Sequence, residues 1–414
     1  MLLREFYRAD DKKKVQRIFI GNALSLLFIW GIFYSRRRCF GSCLSGTLTD
    51  SKLDKYNLLE NEEYVLVFLH IQKTGGSYFG RQLVKSLLMR KPCKCVPGRK
   101  RCSCLHKGNN WIFSRFSTGW ACGLHADWTE LHECIDKKMN RIERKRRKRR
   151  PLHPNIRYLY ITNIREPVKR YLSEWKHTQR GATWKEATLS CQGKKYRNLI
   201  PKCYKGQNWK RASLKEFCSC PYNLANNRQT RMLSNLSLIE CYNSSLPVNV
   251  QEEIMYNSAK KNLQELAFFA LTEYLVESQF LFERTFKTKF LINFVTSNET
   301  KADTIELSKG ELRLVRLVNK LDVKLYKFAK KLFFKRYNAA KKDYFDEMGF
   351  EYQSEKDIIN NTALEDILET ATDEDIKNIK KNGLSLLKST NKILKISNKT
   401  KITLRALSKK SSLK

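Results

Sequence analysis

The segment His70-Ile-Gln-Lys-Thr-Gly-Gly76 puts a lysine, a threonine and two adjacent glycines into seven residues. It sits between a continuous apolar run, Tyr64-Val-Leu-Val-Phe-Leu69, and a stretch over residues 80–89 with Leu83, Val84, Leu87 and Leu88 on one helical face. A short unbroken apolar run reads as a buried strand of a parallel sheet, and the stretch after it reads as a helix. A glycine-bearing turn between strand and helix is an anion cradle. Gly75 and Gly76 let backbone N–H groups approach, the helix N-terminus adds partial positive charge, and Lys73 adds a full one. Thr74 and Ser77 offer hydroxyl donors. The triphosphatase spacing G-x-x-x-x-G-K-[ST] is absent, so this is a different cradle. An ordinary turn is the alternative reading.

Two further segments carry candidate chemistry. Asn163-Ile-Arg-Glu-Pro167 follows a second apolar run, Tyr158-Leu-Tyr-Ile-Thr162, and precedes a helix expected over residues 168–177. Arg165 at a strand end can grip phosphate through two N–H groups. Ser173, two helical turns on, reaches the same anion only if the chain folds back. Two anion sites at two strand ends suggest a ligand with two phosphate groups; a structural Arg–carboxylate pair is the alternative. The third segment joins Phe113-Ser-Arg-Phe-Ser-Thr-Gly-Trp120 to Gly123-Leu-His-Ala-Asp-Trp128. Its aromatics, glycines, Arg115 and His125 suit a sugar-binding and catalytic loop better than a core strand. A neutral histidine there can act as a base near neutral pH, although a lone histidine is more often structural.

Positioning these segments takes strand–loop–helix units, which argue for an α/β layered fold. Residues 137–150 (KKMNRIERKRRKRR) read as a solvated loop. Leu314, Leu321, Leu325, Phe328 and Leu332 mark a helical stripe in a later basic segment, and residues 35–60 resemble a stem. From about Ala340 the chain turns rich in Lys, Asn, Ser and Thr, and residues 341–414 are expected to be mobile, with a short helix near residues 364–379.

Composition narrows the partner and the compartment. Over 414 residues, 80 Lys+Arg oppose 41 Asp+Glu, a formal net charge of +39. Hydrophobic residues at 42% exclude a wholly disordered chain, and only 17 Gly and 8 Pro exclude a collagen-like fibre. Such charge seeks a polyanion: nucleic acid, an anionic membrane or an acidic polysaccharide. The 13 cysteines include C-x-C pairs, Cys93/Cys95, Cys102/Cys104 and Cys218/Cys220, which fit zinc poorly and disulfides well. Residues 18–34 form a 17-residue run without charge, just long enough to cross a thin bilayer, with a buried core helix as the alternative reading. Arg4, Arg8, Lys12, Lys13, Lys14 and Arg17 precede it and Arg36, Arg37 and Arg38 follow it, which favours a cytoplasmic residue 1–17 tail. The rest of the chain would then lie across the membrane, where disulfides persist and the sequons at Asn235, Asn243, Asn298, Asn360 and Asn398 could be glycosylated.

The joined motifs HIQKTGGSYFGRQLV, FSRFSTGW-CGLHADWTEL, REPVKRYLSEW-H-QRGATW and CPYNLANNRQ-RML resemble the heparan-sulfate 6-O-sulfotransferase family, in the family's order and over about residues 63–337. The resemblance implies a P-loop-like α/β sulfotransferase fold, a central parallel sheet flanked by helices, over a lumenal domain of residues 61–340. It implies a glycoprotein of the Golgi membrane with a single-pass anchor in type II orientation. The implied donor is PAPS (3′-phosphoadenosine 5′-phosphosulfate) and the implied acceptor is heparan sulfate, with no nucleic-acid partner and no metal. By the same resemblance His70, Ile71, Gln72, Lys73, Thr74, Gly75, Gly76, Ser77 and Tyr78 match the loop at the donor's 5′ side. Arg165 and Ser173 match the holders of its 3′-phosphate, and Val295, Thr296, Ser297, Lys301 and Ala302 complete the donor pocket. His125 matches the catalytic base. Lys100, Arg101, Arg115, Trp120, His177 and Trp184 match acceptor contacts. The chain departs from the pattern at Lys301, where Arg is expected, and at Glu166, where Asp is expected. A related sulfotransferase acting on another hydroxyl or glycan, or a non-catalytic polyanion-binding membrane protein, are the rival readings. The cysteines are expected to pair locally: Cys122–Cys134, Cys191–Cys203, Cys220–Cys241, and Cys93, Cys95, Cys102 and Cys104 among themselves, leaving Cys218 over.

Overall fold

The structure, a computed structural model, describes residues 55–60, 63–106, 108–146, 156–182, 187–204, 206, 208–295 and 305–349. Strand β1, Tyr64–Leu69, is buried from its second residue on, as its unbroken apolar run requires. It pairs in parallel with β2, Ile112–Phe113, on one side and β3, Arg157–Ile164, on the other. β3 pairs in parallel with β4, Phe268–Leu271. The sheet order is therefore β4-β3-β1-β2. The chain leaves β1 towards one edge and later returns on β1's other flank. Loops leaving β1 and β3 thus diverge, and a crevice opens beyond their C-terminal ends, where open parallel sheets bind ligands. Both candidate anion segments lie at those ends.

Helices flank the sheet. α1, Gly76–Lys85, starts directly at the glycine turn and not at residue 80, and it ends before Leu87, which bridges to Phe290. The early start brings the helix N-terminus to the cradle. α2, Trp128–Arg146, carries residues 137–146 of the basic run as helix and not as loop, residues 147–150 lying outside the described residues: Leu131, Ile135 and Met139 recur at helical spacing on its buried side. Lysine and arginine are good helix formers, so a buried stripe suffices to hold them in register. α3, Pro167–Thr178, opens with proline at its first position and Glu166 as cap, the carboxylate accepting from the Val168 and Lys169 amides. The shorter α4, Leu214–Ser219, and α5, Arg228–Leu233, precede α6, Val248–Glu265. α7, Leu275–Phe286, packs Phe282 and Phe286 against Phe79 of α1 and Phe268 of β4 in one fully buried aromatic cluster.

The late apolar stripe breaks at Asn319 into α8, Lys309–Val318, and α9, Lys320–Glu347. α9 continues past the expected boundary at residue 340: Ala340 is fully buried, and the compact unit closes at Tyr344. The end of the expected stem is likewise packed, with Leu58 buried and the Tyr56 amide donating to the Thr285 carbonyl at 2.7 Å. Residues 1–17, the apolar run 18–34 and the tail helix expected near 364–379 lie outside the described residues. Among the described residues no helix is long and apolar enough to cross a membrane.

Among the described residues five disulfides staple the connections. Cys93–Cys104 and Cys95–Cys102 bridge a hairpin in which Cys95 faces Cys102, and Cys122–Cys134 ties the third motif to α2. Cys218 is free and buried. Two expected pairings are corrected. Cys191 bonds Cys241 across 50 residues and Cys203 bonds Cys220 across 17. The two-stranded ribbon Ser190–Cys191/Lys194–Lys195 meets Cys241 in a small core with Tyr196, Leu236 and Ile239, while the loop carrying Cys203 meets the C-terminal cap of α4. Proximity in space, not in sequence, decided the pairing.

Candidate active site

The crevice at the ends of β1 and β3 is a cleft of about 720 Å³. Among the described residues six cationic side chains line it, Lys73, Arg81, Arg115, Arg165, Lys176 and Arg180, and no carboxylate does. The cradle is built for close approach. Lys73 and Gly75 both adopt left-handed backbone, at φ 67° and 75°. That conformation is strained for lysine and free for glycine. A Cβ on Gly76 would come within 2.5 Å of the His70 ring, so only glycine fits there. Tyr78 and Phe79 donate to the Gly75 carbonyl, leaving the first-turn amides of Gly76 and Ser77 facing outward as helix N-termini do. Arg165 donates to the Lys73 carbonyl at 3.3 Å and so ties the two strand ends together. Its own backbone is clamped by Gln229, whose amide oxygen accepts from the Arg165 N–H and whose amide nitrogen donates to the Arg165 carbonyl, both at 2.9 Å. A polyanion with two phosphate groups suits this donor set.

His125 stands on the cleft wall and also borders a smaller cavity of about 200 Å³ reached by Gln72, Glu174 and Arg228. Its backbone is left-handed, at φ 54°. Its Nδ1 lies 2.8 Å from the His70 carbonyl oxygen. A carbonyl only accepts, so Nδ1 carries the proton and Nε2 is the basic nitrogen. Burial drives the imidazole down to about 4, against the raising effect of that hydrogen bond, with Arg228 and Arg115 lowering it further. The ring is therefore neutral at physiological pH and ready to accept a proton. His70 is held well below its usual range, first by burial, then by His125 and Arg115. It stacks between Phe68 and Trp120 and meets His125 edge to face at 4.8 Å, with its Nδ1 buried and unbonded. Burial lowers the Lys73 ammonium, Arg180 and Arg165 lower it further, and Glu174 partly offsets them.

The sequence-expected residues divide. His70, Gln72, Lys73, Gly75, Gly76, Ser77, Tyr78, Arg115, Trp120, His125, Arg165, Ser173 and His177 all line the cleft. Ile71 and Thr74 do not: Ile71 is core, and the buried Thr74 hydroxyl donates to the Ile71 carbonyl at 3.0 Å, so it shapes the loop. Arg115 donates to Ser77 Oγ at 3.3 Å and lies over the Trp120 ring. Lys100 and Arg101 are exposed on the hairpin and do not line the cleft, though the Arg101 stem packs beside Gly119 at its rim. Val295 is exposed, and its amide donates to the Tyr78 hydroxyl. Thr296, Ser297, Lys301, Ala302 and Trp184 lie outside the described residues. Arg81, Lys176 and Arg180 were not expected, yet the signal existed: Arg81 is four residues after Ser77, and Lys176 and Arg180 are three and seven after Ser173. Among the described residues no group of three or more His, Cys, Asp or Glu could hold a metal ion.

The parallel sheet thus opens at its switch point on a basic cleft, with a glycine cradle and a neutral histidine on its wall, where open α/β sheets bind ligands. The chain belongs to the sulfotransferase family, whose model matches residues 56–329. It is 50% identical over 265 residues to heparan-sulfate 6-O-sulfotransferase 1 of Gallus gallus, covering 63% of this chain and 64% of that one. It is 49% identical over 263 residues both to heparan-sulfate 6-O-sulfotransferase 1 of Homo sapiens, covering 63% of each chain, and to heparan-sulfate 6-O-sulfotransferase 2 of Danio rerio, covering 63% and 56%. The matched part thus spans less than two thirds of these relatives' length.

Proposed function

We propose that this chain transfers a sulfonate group from PAPS to the 6-hydroxyl of glucosamine residues in heparan sulfate. The observation that carries the reading is the neutral His125 imidazole, Nδ1–H fixed on the His70 carbonyl, beside a cleft lined, among the described residues, by six cations and no carboxylate. The names and identities of the relatives support the acceptor. PAPS supplies the sulfonate, and its phosphate groups match the charge of the cleft. Lys73 and the Gly76 and Ser77 amides hold one end of the donor, and Arg165 and Ser173 hold the other. A sugar hydroxyl loses its proton far above neutral pH, so a base must take that proton as the oxygen attacks sulfur. His125 Nε2 accepts it. Lys73 stabilises the charge that develops on the bridging oxygen as the sulfonate departs. The remaining rate enhancement comes from holding the hydroxyl in line with the bond that breaks. The chemistry requires no metal.

The same reading assigns residues 18–34 to a single-pass anchor of the Golgi membrane, with residues 1–17 cytoplasmic and the catalytic unit lumenal. The basic residues before the apolar run and the five disulfides support it. The deciding experiment offers labelled PAPS to desulfated heparan and analyses the disaccharides. Label at the 6-position of glucosamine is expected. Label at another position would reassign the hydroxyl, and no transfer at all would overturn the reading.

A further inference from the structure

Beyond Trp120 the cleft meets a second hollow. This open groove of about 1110 Å³ shares Trp120 and Leu124 with the cleft and runs between α2 and the ribbon Ser190–Cys191/Lys194–Lys195. Lys137 and Lys138 line it from α2, and Lys195 lines it from the ribbon. Among the described residues none of these three lysine side chains makes an ion pair or hydrogen bond. The two carboxylates in the lining are engaged by backbone amides. Glu133 accepts from the Gln192 amide at 2.7 Å, and Glu130 accepts from the Ser190 amide at 2.8 Å and the Asp127 amide at 3.2 Å. Burial, with Asp127 beside it, pushes Glu130 up to about 8, so little of its own negative charge remains at neutral pH, and three lysines face two carboxylates in the described lining. The groove is also fixed relative to His125. Cys122–Cys134 bonds the turn after Trp120 to α2, and Glu133 binds the ribbon to the same helix.

We propose that this groove is an extension of the acceptor site, in which Lys137, Lys138 and Lys195 hold anionic groups on sugars several residues removed from the one that reacts at His125. The inference rests on the acceptor reading above. A polysaccharide whose reacting sugar lies at His125 must lay its neighbours along the surface, and this is a hollow continuous with that point. Uncompensated cations there gain from each sulfate or carboxylate they meet and release its counterions, as on other linear polyanions. Long lysine stems suit the task, since the charge can follow a chain of variable sulfation.

The test compares acceptor lengths. In Lys137→Ala/Lys138→Ala/Lys195→Ala, KM for a long N-sulfated heparosan oligosaccharide should rise about tenfold, and the log–log salt slope of binding should fall by about two, as expected for three lost charge contacts. KM for a tetrasaccharide and kcat for both acceptors should stay at wild-type values. The matching Lys→Arg triple variant should restore the long-acceptor KM, because charge and not shape is required. Unchanged KM for the long acceptor would overturn the proposal. So would an equal rise for both lengths, or weaker chain binding without any length-dependent change in KM, which would mean that a separate chain occupies the groove. Were the wild type to transfer nothing to heparan, the functional reading would fail on its own. Fluorescence anisotropy of a labelled long heparin fragment on both proteins would still decide whether the lysines form a track.

Discussion

Helix α3 carries charge on two faces, and the two are treated in opposite ways. On the inner face Arg170 and Glu174 are fully buried and form a closed cluster with Arg228 and Asp322. Two positive and two negative side chains cancel there. Arg170 also donates to the Ala225 carbonyl, and Asp322 accepts from the Gln229 and Thr230 amides. Burial alone would raise Glu174, but the guanidinium groups of Arg228 and Arg170 override it and hold the carboxyl at about 2. On the outer face Ser173, Lys176 and His177 look into a cleft whose charged side chains, among the described residues, are all cations. There burial, Lys73 and Arg180 push His177 below its usual range. Charge that is balanced within the chain supports the fold, whereas charge left unbalanced at a cleft is completed by a ligand.

Removing the base should have the largest effect. His125→Ala should lower kcat by about 10²–10⁴ while leaving thermal stability and affinity for the bisphosphate product intact, because the imidazole acts on the acceptor. In the wild type the acid limb of kcat/KM should bend near about 4 and not at the ordinary histidine value, the rate falling below that pH as Nε2 becomes protonated. A limb at the ordinary value would contradict the burial argument. Next comes the inner face. Glu174→Ala leaves the buried Arg228 without its carboxylate and Arg170 with Asp322 alone, and should cost about 3–5 kcal/mol of stability by urea unfolding. The folded value of Glu174 is depressed, so its contribution is complete above the unfolded carboxyl range and is lost as pH falls towards about 2. Lys73→Ala should reverse that pattern. Turnover should fall about 10²–10³ and product affinity should drop, yet stability should hold or rise, since a desolvated ammonium beside Arg165 and Arg180 is gone. A Lys73 variant that unfolds like the Glu174 variant would erase the distinction between the two faces.

The parts readable in the sequence were those fixed by short, local patterns. The unbroken run at β1, the glycines after it and the arginine after β3 each follow from strand burial and turn chemistry, and all three met at one crevice. Long-range choices were not readable. Nothing in the spacing tells Cys191 to pass over Cys203 for Cys241, because the ribbon and the turn after residue 236 meet only once the core around Leu236 and Ile239 forms. The basic run looked like a loop because its charge is conspicuous and its stripe, Leu131, Ile135 and Met139, begins before it. The inner-face cluster was equally hidden. Arg170 and Glu174 read as an ordinary helical pair, and only the fold brings Arg228 and Asp322 to them.

The finest test of the outer face concerns Ser173, a half-buried hydroxyl one residue before the buried Glu174. It lies on the side of α3 that faces the cleft, with Arg165 ahead of the helix and Lys176 and His177 one turn beyond. A hydroxyl there contributes no charge, so its loss leaves the field of the cleft unchanged and removes a single donor. A hydrogen bond to an ionised acceptor is worth about 1.5–3 kcal/mol, so Ser173→Ala should weaken binding of the 3′,5′-bisphosphate product by roughly 10- to 100-fold in calorimetry. The same substitution should leave the affinity for the 5′-monophosphate unchanged, because the group that Ser173 would meet is absent. The two nucleotides and two proteins close a thermodynamic cycle whose coupling isolates that one contact. Equal losses for both nucleotides would place Ser173 against another part of the donor and would leave Arg165 to hold the 3′-phosphate without it.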